Sequence, residues 1–129
     1  MKNKKLLIAI LCIFVFDVPG AANRIRQNFD FDWQFRLGEN GDFREVQLPH
    51  DWSVELDFDE KAGGASGYLL GGIGWYRKSF MIPASYKNQK VSLVFDGIYH
   101  KATIFLNGKE IAYHRYGYTS FETDLTPFL

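Results

Sequence analysis

Hydrophobic and polar residues alternate in short runs along much of this chain, with the period of two that is typical of β-strands. Each run ends at a glycine, a proline or an Asp-Gly pair, which are turn signals. No amphipathic helical pattern interrupts the runs, so the pattern predicts an all-β fold. The predicted extended segments are residues 32–37 (DWQFRL), 45–48 (EVQL), 75–82 (WYRKSFMI) and 91–95 (VSLVF).

The clearest predicted element is a hairpin over residues 102–113 (ATIFLNGKEIAY). Asn107-Gly108 at its centre favours a type I′ turn, because both central residues of that turn need positive φ. Both faces of the incoming strand, residues 102–106, carry apolar side chains, which predicts a central rather than an edge strand. Several short strands at this spacing indicate an antiparallel sandwich or barrel.

Residues 1–22 have the pattern of a secretory signal peptide: three lysines, the apolar run Leu6–Phe16 and then small residues up to Ala22. The apolar run is too short to cross a hydrocarbon core of ~30 Å as a helix. The alternative is a buried N-terminal helix. We expect cleavage near Ala22, a secreted or periplasmic location in a bacterium, and a mature domain over residues 23–129.

Loss of residues 1–22 changes the charge balance only slightly, from 15 basic and 15 acidic side chains to 12 and 14. No basic stripe remains, so nucleic acid is not an expected partner, nor is a membrane once the signal is cleaved. The only cysteine, Cys12, lies in the removed segment, so no disulfide is expected. The aromatic fraction of 17% fits aromatic-rich β-structure.

A long loop is predicted over residues 53–74, acidic in its first half and glycine-rich in its second. The glycine-rich half lacks the Gly-Lys-Ser/Thr of a phosphate loop and runs into a predicted strand, so no nucleotide cofactor is expected. The alternating acids Glu55, Asp57 and Asp59 lack the central glycine of a calcium loop and are interpreted as a solvated face, with no metal. The loop is either only a flexible connection or shaped to contact a ligand or another domain.

The motif LPHDW, residues 48–52, raises the possibility of a His–Asp acid–base pair. In an extended segment, successive side chains point to opposite faces. His50 and Asp51 are therefore not expected to bond to one another, and if one faces a site the other faces the fold. A purely structural motif remains an alternative to a motif with one residue on a ligand rim.

Four stretches follow one another along the chain: Asp32-Trp33-Gln34-Phe35, LPHDW, GGIGWYRKSF (71–80) and VSLVFDGIYHKATIFLNGKEIAYHRYGYTSFETDLTPFL (91–129). In this order they resemble the N-terminal domain of glycoside hydrolase family 2. The resemblance is to secreted β-galactosidase-like enzymes and, in the closing GYTSFETDLTPFL, to β-glucuronidases. Leu70 departs from it, because many relatives carry proline there. The resemblance implies an antiparallel jelly-roll β-sandwich of the galactose-binding-like type, called the sugar-binding domain.

The resemblance also implies that catalysis resides outside this chain. Retaining glycosidases use two carboxylates ~5–5.5 Å apart, which the relatives carry on a (β/α)₈ barrel beyond an immunoglobulin-like domain. No catalytic residue is therefore expected here. Asp51, Trp52 and Tyr68 are predicted to contact sugar or the barrel rim, since aromatic rings pack on sugar faces and carboxylates accept hydroxyl hydrogen bonds. For Trp52, a packing role alone is an equal alternative.

The expected partners are a β-galactoside-like oligosaccharide and the immunoglobulin-like and barrel domains of the same polypeptide. Relatives continue with further sandwich strands, so the resemblance implies a domain truncated at its C-terminal end. The first function hypothesis is the N-terminal domain or fragment of a secreted family 2 glycosidase that hydrolyses O-glycosidic bonds in carbohydrate catabolism. The second is a free-standing carbohydrate-binding module.

Overall fold

The computed structural model describes residues 24–129, and the predicted signal peptide with Cys12 lies outside this range. The described range forms β-strands and short 3₁₀ turns, and it contains no helix long and apolar enough to cross a membrane. The strands are β1 (Trp33–Leu37), β2 (Arg44–Val46), β3 (Gly74–Arg77), β4 (Ser92–Phe95), β5 (Ala102–Leu106), β6 (Lys109–His114) and β7 (Phe121–Asp124). The 3₁₀ turns are Trp52–Glu55, Glu60–Ala62, Gly64–Ser66, Ala84–Tyr86 and Thr126–Phe128.

The chain divides into two compact units, with the boundary between Tyr76 and Arg77. The first unit contains a three-stranded sheet in the order β2-β1-β3. β1 and β2 are antiparallel, with Trp33 opposite Val46. Phe35 on β1 and Val46 on β2 are only 3% and 8% exposed, so they form the core of this unit.

The second unit contains two antiparallel pairs, β4 with β7 and β5 with β6. In the first pair, Phe95 and Phe121 lie opposite one another and their rings stack at 4.7 Å. Leu125 follows β7 and is fully buried, and its N–H donates to the carbonyl of Val91 at 2.8 Å. The chain beyond β7 is thereby fixed beside the start of β4.

The predicted hairpin is confirmed. Asn107 and Gly108 have φ of +51° and +80°, as a type I′ turn requires. A register shift between Ile104 and Phe105 interrupts the β5–β6 ladder. In residues 24–129, β5 pairs with β6 alone, so the prediction of a central strand is wrong for this part of the chain.

The other predicted strands are confirmed in position and differ in length. The segment predicted over residues 75–82 forms a strand only over Gly74–Arg77. The strand β7 was not predicted. The long loop over residues 53–74 is confirmed as a connection between β2 and β3, and three of the 3₁₀ turns organise it.

Candidate functional site

The LPHDW motif leads from β2 into the first 3₁₀ turn, and its Leu48–Pro49 peptide bond is cis. Asp51 caps that turn: its Oδ1 accepts hydrogen bonds from the Ser53 N–H at 2.9 Å and from the Ser53 hydroxyl at 2.6 Å. The hydroxyl bond first, and the backbone bond second, hold the pKa of Asp51 below its ordinary value. Asp51 is therefore a solvent-exposed carboxylate whose position is fixed by its own turn.

His50 faces the opposite way, into the first unit. Its ring packs on Phe35 at a centroid distance of 4.8 Å, and its side chain is 10% exposed. Nδ1 lies 2.7 Å from the hydroxyl of Tyr76 on β3, and Nε2 lies 3.2 Å from a carboxylate oxygen of Glu55. The prediction that one member of the His-Asp pair faces the fold is confirmed, and among the described residues no hydrogen bond joins the two.

Arg44 on β2 completes this group. Its guanidinium forms an ion pair with the second carboxylate oxygen of Glu55 and lies over the Phe35 ring at 5.3 Å. Its Nη2 is also 3.4 Å from His50 Nε2. A carboxylate only accepts hydrogen bonds, so the bond between His50 and Glu55 requires a proton on Nε2.

Nδ1 of His50 is joined to the hydroxyl of Tyr76, a group that can donate or accept a hydrogen bond. Burial first, and the charges of Asp51 and Glu55 after it, raise the pKa of Tyr76 to about 12, while the charge of Arg44 acts in the opposite direction. Tyr76 therefore keeps its proton near neutral pH. Hydrogen bonds connect Tyr76, His50 and Glu55, and Arg44 neutralises the charge of Glu55.

Trp52 packs against the end of the same loop. A Cβ on Gly74 would lie 3.0 Å from the Trp52 Nε1 and 3.0 Å from a ring carbon of Phe35. A Cβ on Gly72 would lie 3.5 Å from the six-membered ring of the indole. The half-buried indole therefore lies against the backbone of residues 72–74, which gives Trp52 a packing role beside its predicted contact with sugar.

Tyr68 lies in a separate part of the loop. It has φ of +62°, and its side chain is 51% exposed. Its carbonyl accepts from the Asp59 N–H at 2.8 Å, and its own N–H donates to Gly63 at 3.1 Å. The structure brings Asp51 and Trp52 together, but across residues 24–129 no hydrogen bond or ring contact joins Tyr68 to either of them.

Sequence reasoning missed Arg44, Glu55 and Tyr76 as members of this group. The acidic pattern placed Glu55 on a solvated face, yet its carboxylate binds both Arg44 and His50. The local signals were limited to a histidine in an unusual motif and a tyrosine in a strand. Their contact joins residues separated by 26 positions, and hydrophobic periodicity does not report such a pairing.

Comparison with known proteins places the chain in a family. Residues 66–129 match the family model described as glycosyl hydrolases family 2, sugar binding domain. A β-galactosidase of Bacteroides ovatus is 39% identical over 118 residues, which cover 82% of this chain. A putative β-glucuronidase of Formosa agariphila is 34% identical over 137 residues and covers 95% of this chain. A solved β-glycosidase from Bacteroides vulgatus has a TM-score of 0.72 at 39% identity over 79% of this chain.

The chain belongs to family 2 of the glycosyl hydrolases and corresponds to the N-terminal sugar-binding domain of these enzymes. It spans 14% of the Bacteroides ovatus protein, 13% of the Formosa protein and 15% of the solved chain. The likeness in fold confirms the predicted antiparallel β-sandwich class.

Proposed function

We propose that this chain is the N-terminal domain of a β-galactosidase-like enzyme that hydrolyses O-glycosidic bonds. The observation that carries the proposal is the 39% identity over 118 residues to the β-galactosidase of Bacteroides ovatus. In this proposal the domain supports substrate binding at the rim of the active site. The two carboxylates of the retaining reaction lie on a barrel of the same polypeptide, so the partners are a β-galactoside-like carbohydrate and those further domains.

The residue proposed to contact sugar is Asp51, with Trp52 beside it. The exposed Asp51 carboxylate is held by Ser53 through Oδ1, and Oδ2 accepts no hydrogen bond from residues 24–129. An ionised oxygen fixed in place and facing solvent is a strong acceptor for a sugar hydroxyl. Tyr68 remains a predicted rim residue that would act from a different part of the loop.

Steady-state kinetics of the full-length protein that carries this chain test the proposal, with nitrophenyl β-galactoside and nitrophenyl β-glucuronide as substrates. Asp51→Asn keeps an oxygen for Ser53 and removes the charge. We expect it to raise KM roughly tenfold with kcat nearly unchanged, because it weakens a binding contact remote from the reacting bond. Asp57→Asn, in the same loop, is the matched control and leaves KM unchanged.

Absence of hydrolysis of either glycoside by the full-length protein would contradict the proposed activity. Sugar binding without hydrolysis would instead favour the second hypothesis, a free-standing carbohydrate-binding module. Equal KM values for Asp51→Asn and the parent would remove Asp51 from the site and leave the activity standing.

We also propose that the protein is exported. Support comes from the basic, apolar and small-residue order of residues 1–22, which is the order found in signal peptides. N-terminal sequencing of the protein recovered from periplasm or culture medium is expected to begin at or next to Asn23. Recovery of the intact N-terminus from the cytoplasm would contradict export.

A further inference from the structure

We propose that His50 is a positioning residue that holds together the two ends of the rim segment, defined as residues 51–74. The proposal deepens the proposed function, because it takes from it the role of Asp51 and Trp52 in sugar binding. The contacts that carry it are independent of that role. They are the bonds from one imidazole ring to Tyr76 and to Glu55.

The positions of Tyr76 and Glu55 along the chain explain how the His50 ring can hold the rim segment together. His50 is the residue immediately before the rim segment, and Tyr76 lies two residues after its end, on β3. The 2.7 Å contact between them closes the segment at its base. Glu55 lies in the first turn of the segment, so the second ring nitrogen fixes that turn as well.

Both nitrogens of the ring have a polar partner, the Tyr76 hydroxyl at Nδ1 and the Glu55 carboxylate at Nε2. Phe35, 3% exposed, supports the ring from the core, and the Phe35–Tyr76 ring distance of 4.9 Å supports the hydroxyl. Arg44 neutralises Glu55, so the carboxylate is retained beside the ring.

Loss of this connection is expected to affect binding and not chemistry. Asp51 follows His50 directly, and Trp52 lies against Gly72 and Gly74 at the other end of the segment. Loss of the His50–Tyr76 contact would separate Trp52 from Gly72 and Gly74 and displace the Asp51 carboxylate. The barrel carboxylates of the proposed enzyme would be untouched, so KM would rise while kcat stayed constant.

Limited trypsin digestion of the full-length protein tests the connection itself. Lys61 is exposed in the second 3₁₀ turn of the rim segment and serves as the cleavage site. Tyr76→Phe removes only the hydroxyl, and loss of one hydrogen bond is expected to raise the cleavage rate after Lys61 about fivefold through local opening. Cleavage after Lys87, exposed in the second unit, is expected to stay constant. Tyr113→Phe, on β6, is the matched control and leaves both rates unchanged.

A double-mutant cycle identifies the partner. His50→Gln is expected to raise cleavage after Lys61 as well, and the double variant with Tyr76→Phe is expected to behave like the more affected single variant. Additive effects, an unchanged rate after Lys61, or equal increases after Lys61 and Lys87 would each overturn the proposal. If the parent protein hydrolyses no nitrophenyl glycoside, the proposed function fails, and the cleavage rates still decide the role of His50.

Discussion

Gly74, the last residue of the rim segment, packs against Trp52 near the start of the segment. A Cβ at this position would approach the Trp52 indole and the Phe35 ring at 3.0 Å, which real Cβ atoms seldom do. We expect Gly74→Ala to lower the free energy of unfolding of the first unit by about 1–3 kcal/mol, since two packed rings must move. Hydrogen exchange of the β1 and β3 amides in the full-length protein, followed by mass spectrometry, would measure the loss as local opening.

Gly71→Ala is the matched control for that experiment. Gly71 lies in the same glycine-rich run, has no positive φ, and has no neighbouring atom within 4 Å of the position that an added methyl group would occupy. Its substitution is expected to be neutral or stabilising by roughly 0.4–1 kcal/mol through the unfolded chain. Equal losses for the two variants would show that Trp52 does not pack where the structure places it.

Asp51 gives a prediction about pH. Its pKa is lowered first by the Ser53 hydroxyl, so Ser53→Ala is expected to raise the pKa of Asp51 toward its ordinary value of 3.8. A carboxyl whose folded pKa is depressed contributes stability above its unfolded pKa and loses it as the pH falls through the folded pKa. The Asp51 contribution should therefore be fully present above pH 3.8 and fade below it in the parent, and be smaller above pH 3.8 in the variant.

Carbon-detected NMR titration of the carboxyl groups would test this prediction. Asp124 provides an internal control in the second unit, because the Thr126 side chain and N–H lower its pKa and neither is altered by the substitution. Ser53→Ala should leave the Asp124 titration in place. If Asp51 titrates at the same pH in the parent and in Ser53→Ala, the Ser53 hydroxyl does not lower the pKa of Asp51.

At the scale of elements, the sequence predicted what local patterns control. Alternation located β1, β2 and β4, and the Asn107-Gly108 pair located the β5–β6 turn. The strand β7 was missed because FETD has little apolar content, and its pairing with β4 joins residues about 30 positions apart, such as Ser92 and Asp124. Local alternation likewise predicted opposite directions for His50 and Asp51. It did not predict that His50 contacts Tyr76, because that residue is distant in sequence.

The β5–β6 turn yields a prediction at this scale. Gly108 has φ of +80°, a region that residues with a Cβ rarely adopt. Gly108→Ala is expected to destabilise the hairpin by about 1–2 kcal/mol. Asn107→Gly, where φ is +51°, is the control and should retain the turn. Hydrogen exchange of the β6 amides would report the change, and unaltered exchange in Gly108→Ala would count against a type I′ turn.

At the scale of the whole molecule, the described residues bury few apolar side chains. Within residues 24–129 the buried apolar residues are Phe35, Val46 and Leu125. Large apolar residues are exposed in both units, including Phe58 at 81%, Met81 at 93% and Tyr118 at 88%. Each unit therefore leaves large apolar side chains in contact with solvent.

The small number of buried apolar side chains, set against the many exposed ones, predicts how residues 24–129 behave when produced alone. With so little apolar surface withdrawn from water, the hydrophobic contribution to folding is small against the entropy of ordering the chain. We expect the isolated segment to self-associate in sedimentation velocity, to bind a hydrophobic dye, and to unfold without a sharp thermal transition. The full-length protein, measured alongside, should bind less dye per residue. A monomeric segment with a cooperative transition would show that the two units are stable without further contacts, and that their exposed aromatic side chains are tolerated as free surface.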